Sequence, residues 1–221
     1  MSGKSESAPL YPVMLQLKHR RCVVVGGGAV AERKIEGLLA AQADIVVISP
    51  RFTERIIGWI EEGAVQGIAK RYESKDVAGA ALVFAATDDG EVNRAVAADS
   101  RASGIFVNVA SEADDGNFTN PYVMRRGKLV ISVSTSGASP IAARRICEDL
   151  EERDAADYET YIAVAERFRT VARRTVGDAQ LRRRLARTFM QIDWLGQIRE
   201  GLYRPWTDAE MRRWIAERLD E

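Results

Sequence analysis

Gly26, Gly27 and Gly28 stand directly after the apolar run CVVV (22–25) and directly before the helix-forming stretch AVAERKIEGLLAA (29–41). With Ala29, Val30 and Ala31 they fit the spacing G-x-G-x-x-A. The spacing has a physical logic. Gly26 allows a tight turn, Gly28 lets the backbone approach a diphosphate that a Cβ would block, and Ala31 keeps the helix close to the sheet. Free N–H groups at the helix start, together with its dipole, then hold the anion. The chemistry indicated is dinucleotide binding.

Two further stretches belong to the same chemistry. An acid that would grip the ribose of NAD is missing after the second strand, where the sequence reads Ile48-Ser49-Pro50-Arg51. Ser49 can replace it as a weaker hydrogen-bonding partner. Arg51 admits two readings: a signal for the 2′-phosphate of NADP, or a solvated residue in the first turn of the next helix. In Ala85-Ala86-Thr87-Asp88-Asp89 the small residues leave room for a flat ring. Thr87 either bonds to the cofactor or, with Asp88, caps the following helix, and the two roles are compatible.

The elements that must position these residues follow from the pattern. Apolar runs at 22–25, 44–49, 80–89 and 105–111, with a weaker one at 64–72, alternate with helical stretches at 29–41, 52–63 and 91–104. Such alternation predicts βαβ units and hence a right-handed, doubly wound parallel sheet of the α/β class. From 117 to 140 strand-like pieces are broken by Asn120-Pro121, Gly127 and Gly137. Helices are expected over 141–154, 156–176, 178–193 and 207–220, with breaks near Gly177, Gly196, Gly201 and Pro205. The expected organisation is a dinucleotide-binding domain over 1–115, a linking segment over 116–150 and a helical domain over 151–221.

Composition removes several classes. Lys+Arg and Asp+Glu balance at 32 each, so no global field argues for nucleic acid or a membrane. Cys22 and Cys147 are far apart and there is one histidine, His19, which argues against a disulfide framework and against a zinc site. Both cysteines are expected to be buried or inert, His19 structural, and no metal site is expected. Neither a signal-like opening nor a run of about 18 apolar residues is present, which gives the expectation of a cytoplasmic protein.

The stretches YPVMLQLKHRRCVVVGGGAVAERKIEGLL, VVISPRF, AATDDGEVNRAV, FVNVAS and ISVSTSGASPIAARRI resemble the NAD-dependent precorrin-2 dehydrogenase family. That family includes stand-alone enzymes and the N-terminal module of multifunctional siroheme synthase. The resemblance covers residues 11–150, and more loosely the tail to about 220. It implies a Rossmann domain, a dimerisation segment at 116–150 and a helical region, assembled as a homodimer. It also implies oxidation of precorrin-2 to sirohydrochlorin with NAD, and in some members insertion of ferrous iron. The methyltransferase module of the multifunctional form has no room in 221 residues, so that activity is expected to be absent. By the resemblance the dinucleotide contacts fall on Gly26, Gly28, Ala29, Val30, Pro50 and Arg51, with Gly27, Ser49 and Thr87 completing the set. Thr135 matches a hydroxyl position reported as phosphorylated in relatives; its other reading is a turn-forming residue before Gly137.

One position departs from the family pattern. Relatives commonly carry an aspartate three residues after the equivalent of Asn108, the proposed catalytic and metal-handling acid, and here that residue is Ser111. A hydroxyl is no unassisted base near neutral pH and no substitute for a carboxylate on a metal. Glu112, Asp114 and Asp115 follow, either facing the site or lying in a solvated loop. Ser111, Asp114 and Asp115 are therefore the catalytic candidates, and weak or absent ferrochelatase activity is expected. Substrate contacts are expected at Asn108, Ser134, Thr135, Arg144 and Arg145, because guanidinium forks suit the carboxylates of a tetrapyrrole. The arginines from Arg167 to Arg187 sustain one rival, a non-enzymatic NAD(H) sensor that binds DNA, although no helix-turn-helix is recognisable. Another rival is a dehydrogenase of a different substrate. The expectation adopted is precorrin-2 as partner, without nucleic acid or membrane.

Overall fold

A computed structural model describes residues 9–219 and divides the chain into two compact units, Met1–Asn120 and Pro121–Glu221. The first unit is built from β1 (Arg21–Val25), α1 (Ala29–Ala40), β2 (Asp44–Ile48), α2 (Glu54–Glu61), β3 (Gln66–Ile68), β4 (Leu82–Ala85), α3 (Gly90–Ala102) and β5 (Phe106–Val109). All strands run parallel in the order β3-β2-β1-β4-β5. This is the doubly wound α/β sheet that the alternation predicts.

The β-branched runs form strands because both of their faces are covered. Cys22 and Val24 of β1 join Ile45, Val47, Leu82 and Phe84 beneath Ala31, Ile35 and Leu38 of α1 and Ile56 of α2. Val23 and Val25 point the other way, into a cluster with Val46, Val83, Val107 and Val96 and Ala97 of α3. The register pairs Val25 with both Ile48 and Ala85, and Ala85 with Val109. The carboxyl ends of four strands therefore finish level, and the residues that follow them share one edge. Asn117 bonds along the outer side of β5: its backbone N–H donates to Val107 O (2.9 Å), and its side-chain Oδ1 accepts from Val107 N (2.7 Å).

The second unit begins with an antiparallel hairpin, β6 (Tyr122–Arg126) and β7 (Leu129–Val133), turned through Gly127 at φ +53. Four helices follow: α4 (Pro140–Thr175), α5 (Ala179–Phe189), α6 (Trp194–Arg199) and α7 (Asp208–Glu217). The helices expected at 141–154 and 156–176 are thus one continuous helix of 36 residues. No glycine or proline lies within it after its first residue, Pro140, and Ala155, at the expected break, is buried with Met124 and Cys147 against the hairpin. Gly196 does not break a helix either. It sits in the first turn of α6, where its N–H donates to Asp193 Oδ1 (2.9 Å) and a Cβ would collide with the same carboxylate.

The helical unit is held by aromatic rings. Phe168 stacks on Phe189 at 3.9 Å between centroids, Trp214 meets both rings edge-on, and buried Trp194 donates its indole N–H to Phe189 O at 2.8 Å. Such contacts contribute beyond the apolar area that the rings bury. Cys22 and Cys147 are both free and buried; burial raises the Cys22 thiol to about 11 and the Cys147 thiol above its ordinary value, so both stay protonated. Among the described residues no helix is long and apolar enough to cross a membrane.

Candidate functional site

The chain leaves β1 through α1 toward β2, whereas β4 lies on the other side of β1. The winding reverses between β1 and β4, and it is outside the carboxyl ends of the strands at such a switch point that doubly wound sheets bind ligands. The three glycines sit there in three different ways. Gly26 has φ +124, and a Cβ there would run into the Ala86 carbonyl at the end of β4. A Cβ on Gly27 would run into the Arg51 carbonyl and crowd Ser49 Oγ at the end of β2. At Gly28 a Cβ would meet no atom within 4 Å. Two glycines seat the loop against the neighbouring strand ends, and the third leaves its face open.

Gly28 is also the N-cap of α1, and no side chain caps that helix. The N–H groups of the first turn have no intrahelical acceptors, and the positive end of the helix dipole adds to them. An open space in front of uncapped N–H groups is a cradle for a diphosphate. The loop formed by Gly26, Gly27, Gly28, Ala29 and Val30 therefore fits a dinucleotide.

Around the loop the geometry is specific. Ser49 is buried, and its Oγ accepts from the Arg51 N–H at 3.4 Å. Thr53 donates its N–H to Gly27 O (3.0 Å) and caps α2 with its hydroxyl, so the segment after β2 is tied to the glycine loop. Pro50 and Arg51 are exposed, and the Arg51 side chain has no partner among the described residues.

At the end of β4, Thr87 Oγ1 lies 2.9 Å from Asp89 O and 2.8 Å from Asn93 Oδ1, and it accepts from Asp89 N at 3.2 Å. That hydroxyl is engaged inside the protein. The cap of α3 is Asp89, which accepts from Glu91 N and Val92 N; Thr87 and Asp88 are not the capping residues. Asn93, only 1% exposed, ties the edge together. It accepts from Thr87 N (3.2 Å) and donates to Thr87 O (3.0 Å) and Ser111 Oγ (3.2 Å). Sequence reasoning missed it. The available signal was its place on the buried face of α3, in step with Val96, Ala97 and Ser100.

Comparison with known proteins adds the following. The model of an NAD(P)-binding domain family matches residues 13–122. The siroheme synthase of Chromobacterium violaceum is 38% identical over 181 residues, which is 82% of this chain and 38% of that one. The chain thus spans well under half the length of such relatives. The precorrin-2 dehydrogenase of Priestia megaterium is 37% identical over 152 residues, covering 69% of this chain and 75% of that one. The chain belongs to the precorrin-2 dehydrogenase family. The solved structure of SirC, a precorrin-2 dehydrogenase, superposes with a TM-score of 0.74 at 28% identity, covering 96% of this chain and all of that one.

Within this precorrin-2 dehydrogenase fold, the remaining candidate residues fall as follows. Ser111 is exposed and receives the Asn93 amide, so its own hydroxyl hydrogen is free to donate. Asp114 and Asp115 lie in a short 3-10 turn, Ala113–Asp115, where Asp115 donates its N–H to Glu112 O and accepts from Arg101 at its carbonyl. Among the described residues no three His, Cys, Asp or Glu side chains gather closely enough to hold a metal ion. Asn108 is buried; its amide donates to Phe118 O (3.1 Å), and its Oδ1 is enclosed without a hydrogen-bond partner among the described residues. His19 stands 3.7 Å from Asp44 at the amino end of β2, the opposite edge from the glycines.

In the second unit, residues 134–140 form a knotted turn with Ser136 at φ +51 and Gly137 at φ +85. Thr135 Oγ1 donates to Ser139 O and accepts from Ser139 N, both at 3.0 Å, which engages it in holding the turn. Ser134 Oγ accepts from Ser136 N. Ser139 caps α4 and Pro140 opens it. Arg144 is paired with Glu148 (2.7 Å), whereas Arg145 has no partner among the described residues.

Proposed function

We propose that this chain catalyses the NAD-dependent dehydrogenation of precorrin-2 to sirohydrochlorin. The observation that carries the reading is the open face of Gly28, before an uncapped helix at the switch point of a sheet of this family. When bound there, NAD supplies a hydride acceptor. The chain's own residues supply position. Gly26, Gly27, Gly28, Ala29 and Val30 hold the diphosphate. Ser49, Pro50 and Arg51 frame the adenosine ribose, and Thr87 shapes the strand end beside the flat ring.

Ser111 serves as a hydrogen-bond donor, fixed by Asn93, and not as a base. The proton released on dehydrogenation passes to water, to a substrate carboxylate, or to Asp114 or Asp115 in the adjoining turn. Asn108 works through the Phe118 backbone that it holds. Ser134, Thr135, Arg144 and Arg145 bind substrate, with Arg145 the guanidinium left for a substrate carboxylate. Ferrochelatase activity is weak or absent, because the family's carboxylate is replaced by a hydroxyl and the acids beside it are not gathered. The chain works in the cytoplasm as a homodimer through residues 116–150. Exposed apolar side chains at Tyr122, Val123, Ile141 and Ile146 support that assignment.

Purified protein mixed with precorrin-2 and NAD should give sirohydrochlorin and NADH, followed by absorbance. No product above the rate without enzyme would reject the reading. The same assay with NADP should be slower; equal or faster turnover would assign Arg51 to a 2′-phosphate.

A further inference from the structure

Between Arg167 and Arg187 the chain carries eight arginines against one acid, Asp178, in a protein whose charges cancel over the whole chain. The fold sorts these arginines. Arg167 pairs with Asp208 (3.0 Å), Arg184 bonds the Arg218 carbonyl, and Arg182 donates to the Val176 and Gly177 carbonyls just beyond the end of α4. Arg169, Arg173 and Arg183 are exposed and have no hydrogen-bonding or acidic partner among the described residues. These three, with Arg182, line a groove of about 320 Å³ between the last turns of α4 and the first turns of α5, where Ala172 and Ala186 leave room between the helices.

We propose that this groove is a binding site for a small polyanion, a molecule presenting two or more phosphate or carboxylate groups. The argument is electrostatic. Guanidinium groups turned onto one concavity repel each other, and a repulsion without a counter-charge is a cost that an anion removes. Each fork offers paired N–H groups matched to two oxygens of a phosphate or carboxylate. The apolar stripe of α5, Leu181, Leu185 and Phe189, is packed in the aromatic core. The arginine face is therefore held rigidly and is not free to disperse its charges. The size of the groove suits a compact ligand and not an extended strand.

The test is calorimetric titration of the full chain with inorganic tripolyphosphate and, separately, with citrate. Tripolyphosphate also suits the glycine loop, so Gly28→Val is measured beside the double variant Arg173→Gln/Arg183→Gln; both arginines are exposed, and their loss leaves the core untouched. Saturable binding of at least one anion is expected, retained in Gly28→Val and weakened about tenfold for each guanidinium removed. The tighter of the two anions identifies phosphate or carboxylate as the native chemistry. Absence of saturable binding, or binding lost in Gly28→Val and kept in the arginine variant, would overturn the proposal. So would a duplex DNA that binds more tightly than tripolyphosphate and is released by the same two substitutions.

Discussion

Three adjacent glycines do three jobs, and substitution separates them. Gly28→Val should abolish NADH binding in a fluorescence titration while lowering stability by about 1 kcal/mol or less, because its Cβ meets no atom within 4 Å and only the N-cap preference of α1 opposes it. Gly27→Ala should instead lower stability by about 1–3 kcal/mol in urea unfolding, since its Cβ strikes a backbone carbonyl that cannot swing away. If Gly28→Val leaves NADH affinity intact, the diphosphate lies elsewhere. Ser111→Ala should reduce dehydrogenation only slightly. A loss of about a hundredfold, usual for a missing acid or base, would give Ser111 the role denied to it here. Asn93→Ala should cost about 1–3 kcal/mol, because the Thr87 N–H and carbonyl lose their buried partner. The glycine loop was legible in the sequence because its function depends on spacing within six residues. Asn93 was not, because it acts on residues 6 and 18 positions away that only the pairing of β4 with β5 brings together.

Among the elements, α7 carries a titrating device. Its capping box joins Thr207 to Glu210, and the Arg204 guanidinium, with the Thr207 N–H and hydroxyl, lowers the Glu210 carboxyl from 4.5 to about 2. A depressed carboxyl stabilises the folded state fully above its unfolded pKa, and that contribution fades as pH falls toward the folded value. Glu210→Gln should therefore melt below the native chain at pH 7, and the gap should narrow once pH drops under about 4.5. A gap that does not vary with pH would show that the carboxylate contributes by shape alone. The long helix teaches a different lesson about legibility. Its buried residues run through Cys147 and Ala155 against the hairpin, then through Val164, Phe168 and Val171 in the aromatic core. Nine residues separate Ala155 from Val164, which at about 100° each places the second stripe on the opposite side. A change of buried face within one helix reads, in periodicity alone, as two helices.

For the whole molecule, the proposed homodimer makes a direct prediction. Ile141 is 82% exposed in the single chain, so Ile141→Glu should leave each unit folded and shift sedimentation toward the monomer. A dimer that persists undiminished would move the interface away from this surface. The order of strands and helices in the sheet unit was legible because they alternate at short range. The acidic turn after β5 was not, because charged residues in a turn carry no periodicity to show where they face. The 36-residue α4 has a mechanical consequence. A two-stranded ribbon is seldom stable by itself in water, yet β6 and β7 lie on the same unbroken rod that, further along, anchors the ring stack. The ribbon packs through Met124, Leu129, Ile131 and Val133 on Cys147 and Ala155 of that rod, and the second unit should melt as one cooperative body.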